Sequence, residues 1–356
     1  MRDINPFLQL AIDKKASDLY FTVNAPVMIR IEGETYAIGG ETGEKLTLET
    51  LEELSSSIMT PEQQATFRSV REVDFAIRYK TIGRFRVNVF RQRGSVAMVL
   101  RNIGSVPEFD DLNLPEILKD LVLHKRGLIL VCGATDSGKS TTLAAMLDHR
   151  NRNRRGHILT IEEPVEFMHQ HKMSIINQRE IGTDTRSYAN ALRSAMREAP
   201  DVVLIGEIRD RDTVEACLAL SGTGHLAIST LHSNNAYQTL QRIISLFPEE
   251  MREQLYMDLS LNLRAIISQR LVRGVDGKRV AAVEILLNTP YVSDLILQGR
   301  IQSVKDAMND AAHSQGMMTF DDSLYTLFEE GRIDREEALS NADSRDNLES
   351  KMSFGG

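Results

Sequence analysis

The sequence predicts an α/β protein, with a domain built on a parallel sheet preceded by a smaller α+β domain. Three observations carry that expectation. Apolar runs LILVCG, HILTIEE, DVVLIGE and HLAISTLH alternate with helical stretches TTLAAMLDHRN, SYANALRSAMREA and DTVEACLALSG. Strands that are apolar throughout belong to parallel sheets covered by helices on both faces. The first of these runs leads into Gly133-Ala134-Thr135-Asp136-Ser137-Gly138-Lys139-Ser140, a GxxxxGK[ST] pattern, with Thr141 next and a helix beyond. Before them, residues 72–103 instead alternate apolar and polar side chains, as an antiparallel sheet does.

In chain order, Phe7, Leu8, Ala11 and Ile12 have helical spacing. Residues 17–38, SDLYFTVNAPVMIRIEGETYAI, read as short strands cut by Pro26 and Gly33. LTLETLEELSSSIMTPEQQATFRS reads as two helices, the second capped by Thr60 with Pro61 at its first position. EVDFAIRYKTIGRFRVNVFRQRGSVAMVLRNI reads as antiparallel strands with turns at Thr81-Ile82-Gly83 and Arg93-Gly94. These elements form the first domain, residues 1–104. GSVPEFDDLNLPEILKDL is a linker over 105–122, ending in a helix that begins at Pro115. Residues 123–356 form the α/β domain. Its C-terminal part is expected to be mostly helical, with an apolar stripe in LSLNLRAIISQRLV and a Thr319 cap before FDDSLYTLFEEG. The polar tail after about Ser344 is expected to be mobile.

At 356 residues the chain is too long for one small core, and 42% hydrophobic with 26% charged residues is ordinary for a soluble protein. No apolar run reaches the roughly 20 residues of a membrane helix, and the N-terminus lacks a signal-peptide core. The expectation is a cytoplasmic protein without direct membrane insertion. Cys132 and Cys217 sit apart in apolar runs and read as buried free thiols. A net charge of −8 and a pI near 5.6 leave no basic footprint for nucleic acid. Arg150, Arg152, Arg154 and Arg155 read as a solvated helix end.

The chemistry-bearing residues follow from their positions. Backbone N–H groups over Gly133–Thr141, at a helix N-terminus, suit the β- and γ-phosphates of a nucleotide such as ATP. Lys139 adds a positive charge there, and the Ser140 hydroxyl suits Mg2+. Glu207 is the first carboxylate after the DVVLIG run, where an acid handles Mg2+ or the attacking water. TIEEPVEF carries Glu162, Glu163 and Glu166 at another strand end. His225 and His232 flank a strand, as γ-phosphate and subunit contacts or as satisfied core histidines. His169 and His171 read as a surface strand rather than a metal pair. Arg84 and Arg86 share one strand face and Arg101 ends the next strand. They are either fingers for a neighbouring subunit's γ-phosphate or a charged outer face. Asp136 sits where a glycine is common. Asp tolerates left-handed backbone, yet its charge opposes phosphate.

In this order and spacing GATDSGKST, TIEEPVEF, VVLIGEIRD and TGHLAISTLHSN resemble the Walker A, Asp box, Walker B and His box of the secretion ATPases. SDLYFTVNAPVMIRIEG and GRFRVNVF resemble that family's N-terminal domain, so the resemblance covers nearly the whole chain. It is nearest to the type IV pilus retraction ATPases of the PilT and PilU branches. DHRNRN, MDLSLNLRAIISQRLV and GMMTFDDSLYTLFEEG with EEALSNADS are more similar to the PilU branch. The resemblance implies a PAS-like N-terminal domain, a RecA-like P-loop ATPase domain and a ring-shaped homo-hexamer. It implies ATP hydrolysis with Mg2+ on Ser140 and Glu207, and Glu166 activating water. His225 and His232 would report the γ-phosphate, with Arg84, Arg86 and Arg101 as finger candidates. Partners would be a PilT-type ATPase and the inner-membrane pilus platform protein, placing the chain at that membrane peripherally. Three departures stand out. Glu163 replaces the Asp-box aspartate, Asp136 replaces a glycine, and PYVSDLI (Pro290–Ile296) stands where the PilT branch has AIRNLI. Two isolated cysteines argue against the extension-type branch, which carries a four-cysteine zinc module. An accessory subunit that binds ATP and hydrolyses little is the alternative. A nucleic-acid translocase is disfavoured by the charge.

Overall fold

The computed structural model describes residues 3–31, 33–40, 43–79, 83–310, 314 and 316–354. The chain divides into two compact units. One gathers the chain up to Ser105 together with Glu166–Met168; the other holds Val106–Val165 and the chain from His169 on.

The first unit runs α1 (Asn5–Asp13), β1 (Asp18–Thr22), β2 (Met28–Ile31), β3 (Glu34–Ala37), α2 (Leu48–Ile58), α3 (Pro61–Val70), β4 (Glu72–Tyr79), β5 (Gly83–Gln92) and β6 (Ser95–Ile103). Its sheet has the order β3-β2-β1-β6-β5-β4, and every neighbouring pair is antiparallel. The predicted α+β texture is therefore what forms. Thr60 caps α3 through a capping box with Gln63, and Pro61 follows it. Along β5 the buried Phe85, Val87 and Val89 alternate with Arg84 and Arg86. Phe7 meets Phe21 edge-on at 5.5 Å in the same core. Arg93 and Gly94 join β5 to β6 with positive φ at both residues, as a tight two-residue hairpin requires. The other expected turn includes Thr81 and Ile82, which lie outside the described residues.

The second unit begins with α4 (Ile117–Val122), β7 (Gly127–Cys132), α5 (Lys139–Asn153), β8 (Gly156–Glu162), β9 (Ser174–Glu180), α6 (Tyr188–Ala195), β10 (Val202–Ile205), α7 (Arg211–Gly222) and β11 (Leu226–Leu231). It continues with α8 (Ala236–Ser245), α9 (Arg252–Asn262), β12 (Leu263–Arg273), β13 (Arg279–Leu287), α10 (Pro290–Leu297), α11 (Gln302–Asn309), α12 (Phe320–Glu329), α13 (Arg335–Asn341) and α14 (Arg345–Phe354). The sheet order is β13-β12-β7-β11-β10-β8-β9. All neighbours are parallel except the β12–β13 pair. Leu128, Leu130 and Cys132 feed the core on one face, while Ile129 and Val131 feed the core on the other. That two-sided burial is why the strand sequences are apolar without alternation.

Several expectations need correction. LRAIISQRLV is not helical: only the preceding REQLYMDLSLN forms α9, and β12 follows directly. The open edge of β7 and the β-branched Ile266 and Ile267 draw this segment into the sheet, so tertiary pairing overrides its helical spacing. The residues after Ser344 form α14, whose Leu348 is 1% exposed and whose Lys351 pairs with Asp322 at 2.8 Å. Arg150 is buried, not solvated. Its Nη1 donates to the carbonyls of Val122 at 2.6 Å and His124 at 2.8 Å. The helix expected from Pro115 starts at Ile117. His169 and His171 lie in a loop before β9 rather than on a strand.

Leu348→Ala should lower stability by about 2–5 kcal/mol, the range for truncating a buried leucine. Chemical denaturation reads this, and an unchanged midpoint would mean that α14 does not pack.

Candidate nucleotide-binding site

Four parallel strands end along one edge of the second sheet. Cys132 of β7 pairs with Leu231 of β11, Ser229 of β11 with Ile205 of β10, and Ile205 with Ile161 of β8. The loop 133–138, His232, Glu207 and Glu162–Glu163 therefore all leave the sheet on the same side. In open α/β sheets, the crevice beyond the carboxyl ends of the strands is where ligands bind.

The loop owes its shape to backbone that side chains rarely adopt. Gly133 has φ 151°, Asp136 φ 61° and Gly138 φ 87°. A Cβ on Gly133 would lie 2.4 Å from the Gln269 carbonyl oxygen, and one on Gly138 would lie 2.7 Å from Gln269 Nε2. Gln269, buried on β12, also accepts a hydrogen bond from Thr142 Oγ1 at 2.8 Å. Gln269 is thus the floor on which the loop rests. Asp136 takes the left-handed conformation that the sequence suggested. It is exposed, and its carbonyl oxygen lies 3.5 Å from Arg279 Nη1.

The residues fit a phosphate. Ser137 Oγ is buried with no hydrogen-bond partner, an unmet polar atom beside the loop. Lys139 Nζ donates to the carbonyls of Gly133 at 2.9 Å and Ala134 at 2.7 Å. Lys139 also opens α5, whose first N–H groups and dipole favour an anion. Ser140 and Thr141 follow, half-buried, while Ala134 and Thr135 are exposed. Among the described residues no group of three or more His, Cys, Asp or Glu could hold a metal alone.

The acidic side of the edge is tied together. Arg209 Nε donates to Glu207 at 2.8 Å and Arg209 Nη1 donates to Glu163 at 2.9 Å. The other Glu207 oxygen is 3.3 Å from His232 Nε2. Glu162 accepts instead from Thr160 Oγ1 and Gln178 Nε2. Burial, with Glu163 nearby, pushes the Tyr188 hydroxyl up to about 12.

Other sequence-predicted residues fall elsewhere. His225 precedes β11, and Leu226 pairs with Gly127 at the start of β7, so His225 sits on the opposite edge of the sheet. About 3.3 Å per strand residue puts it roughly 20 Å from His232 along the strand. Its Nδ1 lies 3.1 Å from the Leu220 carbonyl and from Thr223 Oγ1, which is the satisfied-histidine reading. Glu166 is exposed in the short segment grouped with the first unit. Arg86 stands opposite Arg101 across β5 and β6, with Arg84 two residues along. Arg101 Nε donates to the buried Asp18 carboxylate at 2.9 Å, and that bond raises its pKa. Arg84 Nη1 lies 3.6 Å from Met168 Sδ. His169 is held neutral, pushed down to about 4 by burial. Both thiols are free and buried, and burial pushes Cys217 up to about 12. Sequence reading missed Gln269, Arg209 and Arg279. Only Arg209, two residues past Glu207, left a local signal.

Asp136→Gly should keep the loop and remove one negative charge. Adenosine-diphosphate affinity should rise about two- to tenfold at low salt, and the gain should shrink as salt screens the charge. Equal affinities at low salt would place the carboxylate away from the phosphates. Gly138→Ala, strained and colliding with Gln269, should cut the affinity at least about tenfold. Titration calorimetry reads both.

Comparison with known proteins agrees with this geometry. Residues 1–317 match the family described as type II/IV secretion system protein. The type IV pilus ATPase PilU of Pseudomonas aeruginosa is 45% identical over 99% of this chain and 92% of its own. The type IV pilus retraction ATPase PilT of the same organism is 39% identical over 97% of this chain and 100% of its own. Among solved structures, the pilus retraction motor PilT with bound ADP superposes with a TM-score of 0.90 at 41% identity, covering 98% of this chain and 99% of that one. The ATPase DotB of Legionella pneumophila gives 0.80 at 28% identity, covering 94% and 93%. With the match running through both units and the phosphate loop and Glu207 leaving the sheet on the same side, the chain belongs to the type II/IV secretion system protein family.

Proposed function

We propose that the protein is an ATP-hydrolysing motor of type IV pilus retraction, of the PilU kind and working as a homo-hexamer. The observation that carries this reading is the shared sheet edge. There the Gly133–Thr141 loop, Lys139 and Ser140 stand in line with Glu207 and His232. When bound, ATP would supply the scissile phosphoanhydride, and Mg2+ held by Ser140 and Glu207 would supply charge neutralisation for its phosphates.

The chain's own residues do the rest. The loop amides and Lys139 hold the phosphates in place, so catalysis is mostly positioning and charge stabilisation. Ser140 and Glu207 offer oxygen ligands to the metal. Glu166 is the resemblance's candidate to activate the attacking water. His232, against Glu207, links the γ-phosphate region to the end of β11. Arg84, Arg86 and Arg101 are candidates to reach a neighbouring subunit's γ-phosphate, although Arg101 must share itself with Asp18. Turnover then moves rigid units against one another and drives pilus disassembly through the inner-membrane platform protein, beside a PilT-type ATPase. No helix among the described residues is long and apolar enough to cross a membrane.

Phosphate release by the purified protein tests the reading. Glu207→Gln should cut kcat by about a hundredfold or more while leaving ATP binding, and Lys139→Ala should lose both. Wild-type protein that binds ATP without turnover above background would overturn the motor reading.

A further inference from the structure

The Arg209 guanidinium makes two separate contacts with two different carboxylates. Nε reaches Glu207 Oε2 at 2.8 Å and Nη1 reaches Glu163 Oε2 at 2.9 Å. The second Glu207 oxygen faces His232 Nε2 at 3.3 Å. Glu163, Arg209, Glu207 and His232 thus form one chain of contacts along the edge, drawn from the ends of β8, β10 and β11. We propose that Arg209 is a positioning residue for hydrolysis, anchored by Glu163 and fixing the orientation of the Glu207 carboxylate. This rests on the reading of Glu207 given under Proposed function.

The physical case starts from the loop that carries Glu207. The residue lies past the end of β10, so nothing in the sheet ladder fixes its side chain. One contact at 3.3 Å to His232 leaves the carboxylate free to turn about that contact. A cation on the other oxygen defines its plane. An exposed ion pair between residues two apart would not do this alone, because such pairs contribute only about 0–1 kcal/mol and are mobile. Arg209 is 57% exposed and would be such a pair without a second anchor. Glu163 supplies the anchor. Its side chain extends from the end of β8, a different strand, and holds the far side of the same rigid fork. Lysine is a poorer substitute: an ammonium reaches two carboxylates, as Lys119 does with Asp110 and Glu116, but as a point charge without the rigid planar fork that fixes the orientation of each. Charge argues the same way. Glu162, Glu163 and Glu207 crowd this edge, and Arg209 touches two of them. Glu163 is also where this chain departs from the aspartate of the Asp box, and the longer side chain is the one seen to reach Arg209.

The test uses the purified full chain, with steady-state ATP hydrolysis, ADP titration and thermal melting on each variant. Arg209→Gln should lower kcat about ten- to a hundredfold, as misplacing a catalytic group does, with ADP affinity and melting temperature nearly unchanged. Arg209→Lys should recover little of the loss. Glu163→Gln should give a smaller fall in kcat, and the double variant should be no slower than Arg209→Gln alone, because the two act through one contact chain. Undiminished kcat in Arg209→Gln overturns the inference, as do losses that simply multiply in the double variant. A fall in kcat that tracks lost ADP affinity and a lowered melting temperature also overturns it, by showing a merely structural role. Wild-type protein that hydrolyses no ATP overturns the motor reading and this inference with it, whereas intact wild-type turnover that the variants leave alone overturns the inference only.

Discussion

Everything proposed for this protein depends on the parallel register of β7, β11, β10 and β8. A parallel ladder forces neighbouring strands to finish on the same edge, and the chain places one piece of chemistry at each finish. The phosphate loop follows β7, His232 follows β11, Glu207 follows β10 and Glu163 follows β8. Because each strand is buried on both faces, a slip in register would expose apolar residues or bury polar ones. The hydrophobic core thereby fixes the relative positions of four functional loops that share no local sequence.

A second layer of support lies beneath that edge. β12 runs beside β7 and carries Gln269, against which the loop backbone is pressed. One step away, Ser268 donates to Glu284 at 2.8 Å, and the Ala236 amide opening α8 donates to the same oxygen at 2.7 Å. Burial raises the pKa of Glu284, while those two hydrogen bonds pull it back. Glu284 so ties the start of α8, four residues past His232, to the strand pair that floors the phosphate loop. Rigid elements supporting the loops are what a site built on positioning needs.

How much of this was legible in the sequence depended on range. The loop, its left-handed Asp136, the Thr60 cap and the two-sided strands were readable because each rests on local backbone or burial chemistry. Glu207 was readable because it ends an apolar run. β12 was not, since its helical spacing hid a strand that only the edge of β7 could select. α14 was not, because its polar surface concealed the buried Leu348. Gln269 carries no local mark at all, being defined by a loop more than a hundred residues earlier. The place of His225 was also out of local reach: strand direction puts it at the end of β11 far from His232.

Backbone hydrogen exchange with and without ADP reports every edge of the sheet at once. A nucleotide seated on the phosphate loop should slow exchange at residues 134–142, with lesser protection at 206–208 and 232–234, and none at 223–226 around His225. Protection at the His225 edge, or none at the phosphate loop under saturating ADP, would contradict that placement.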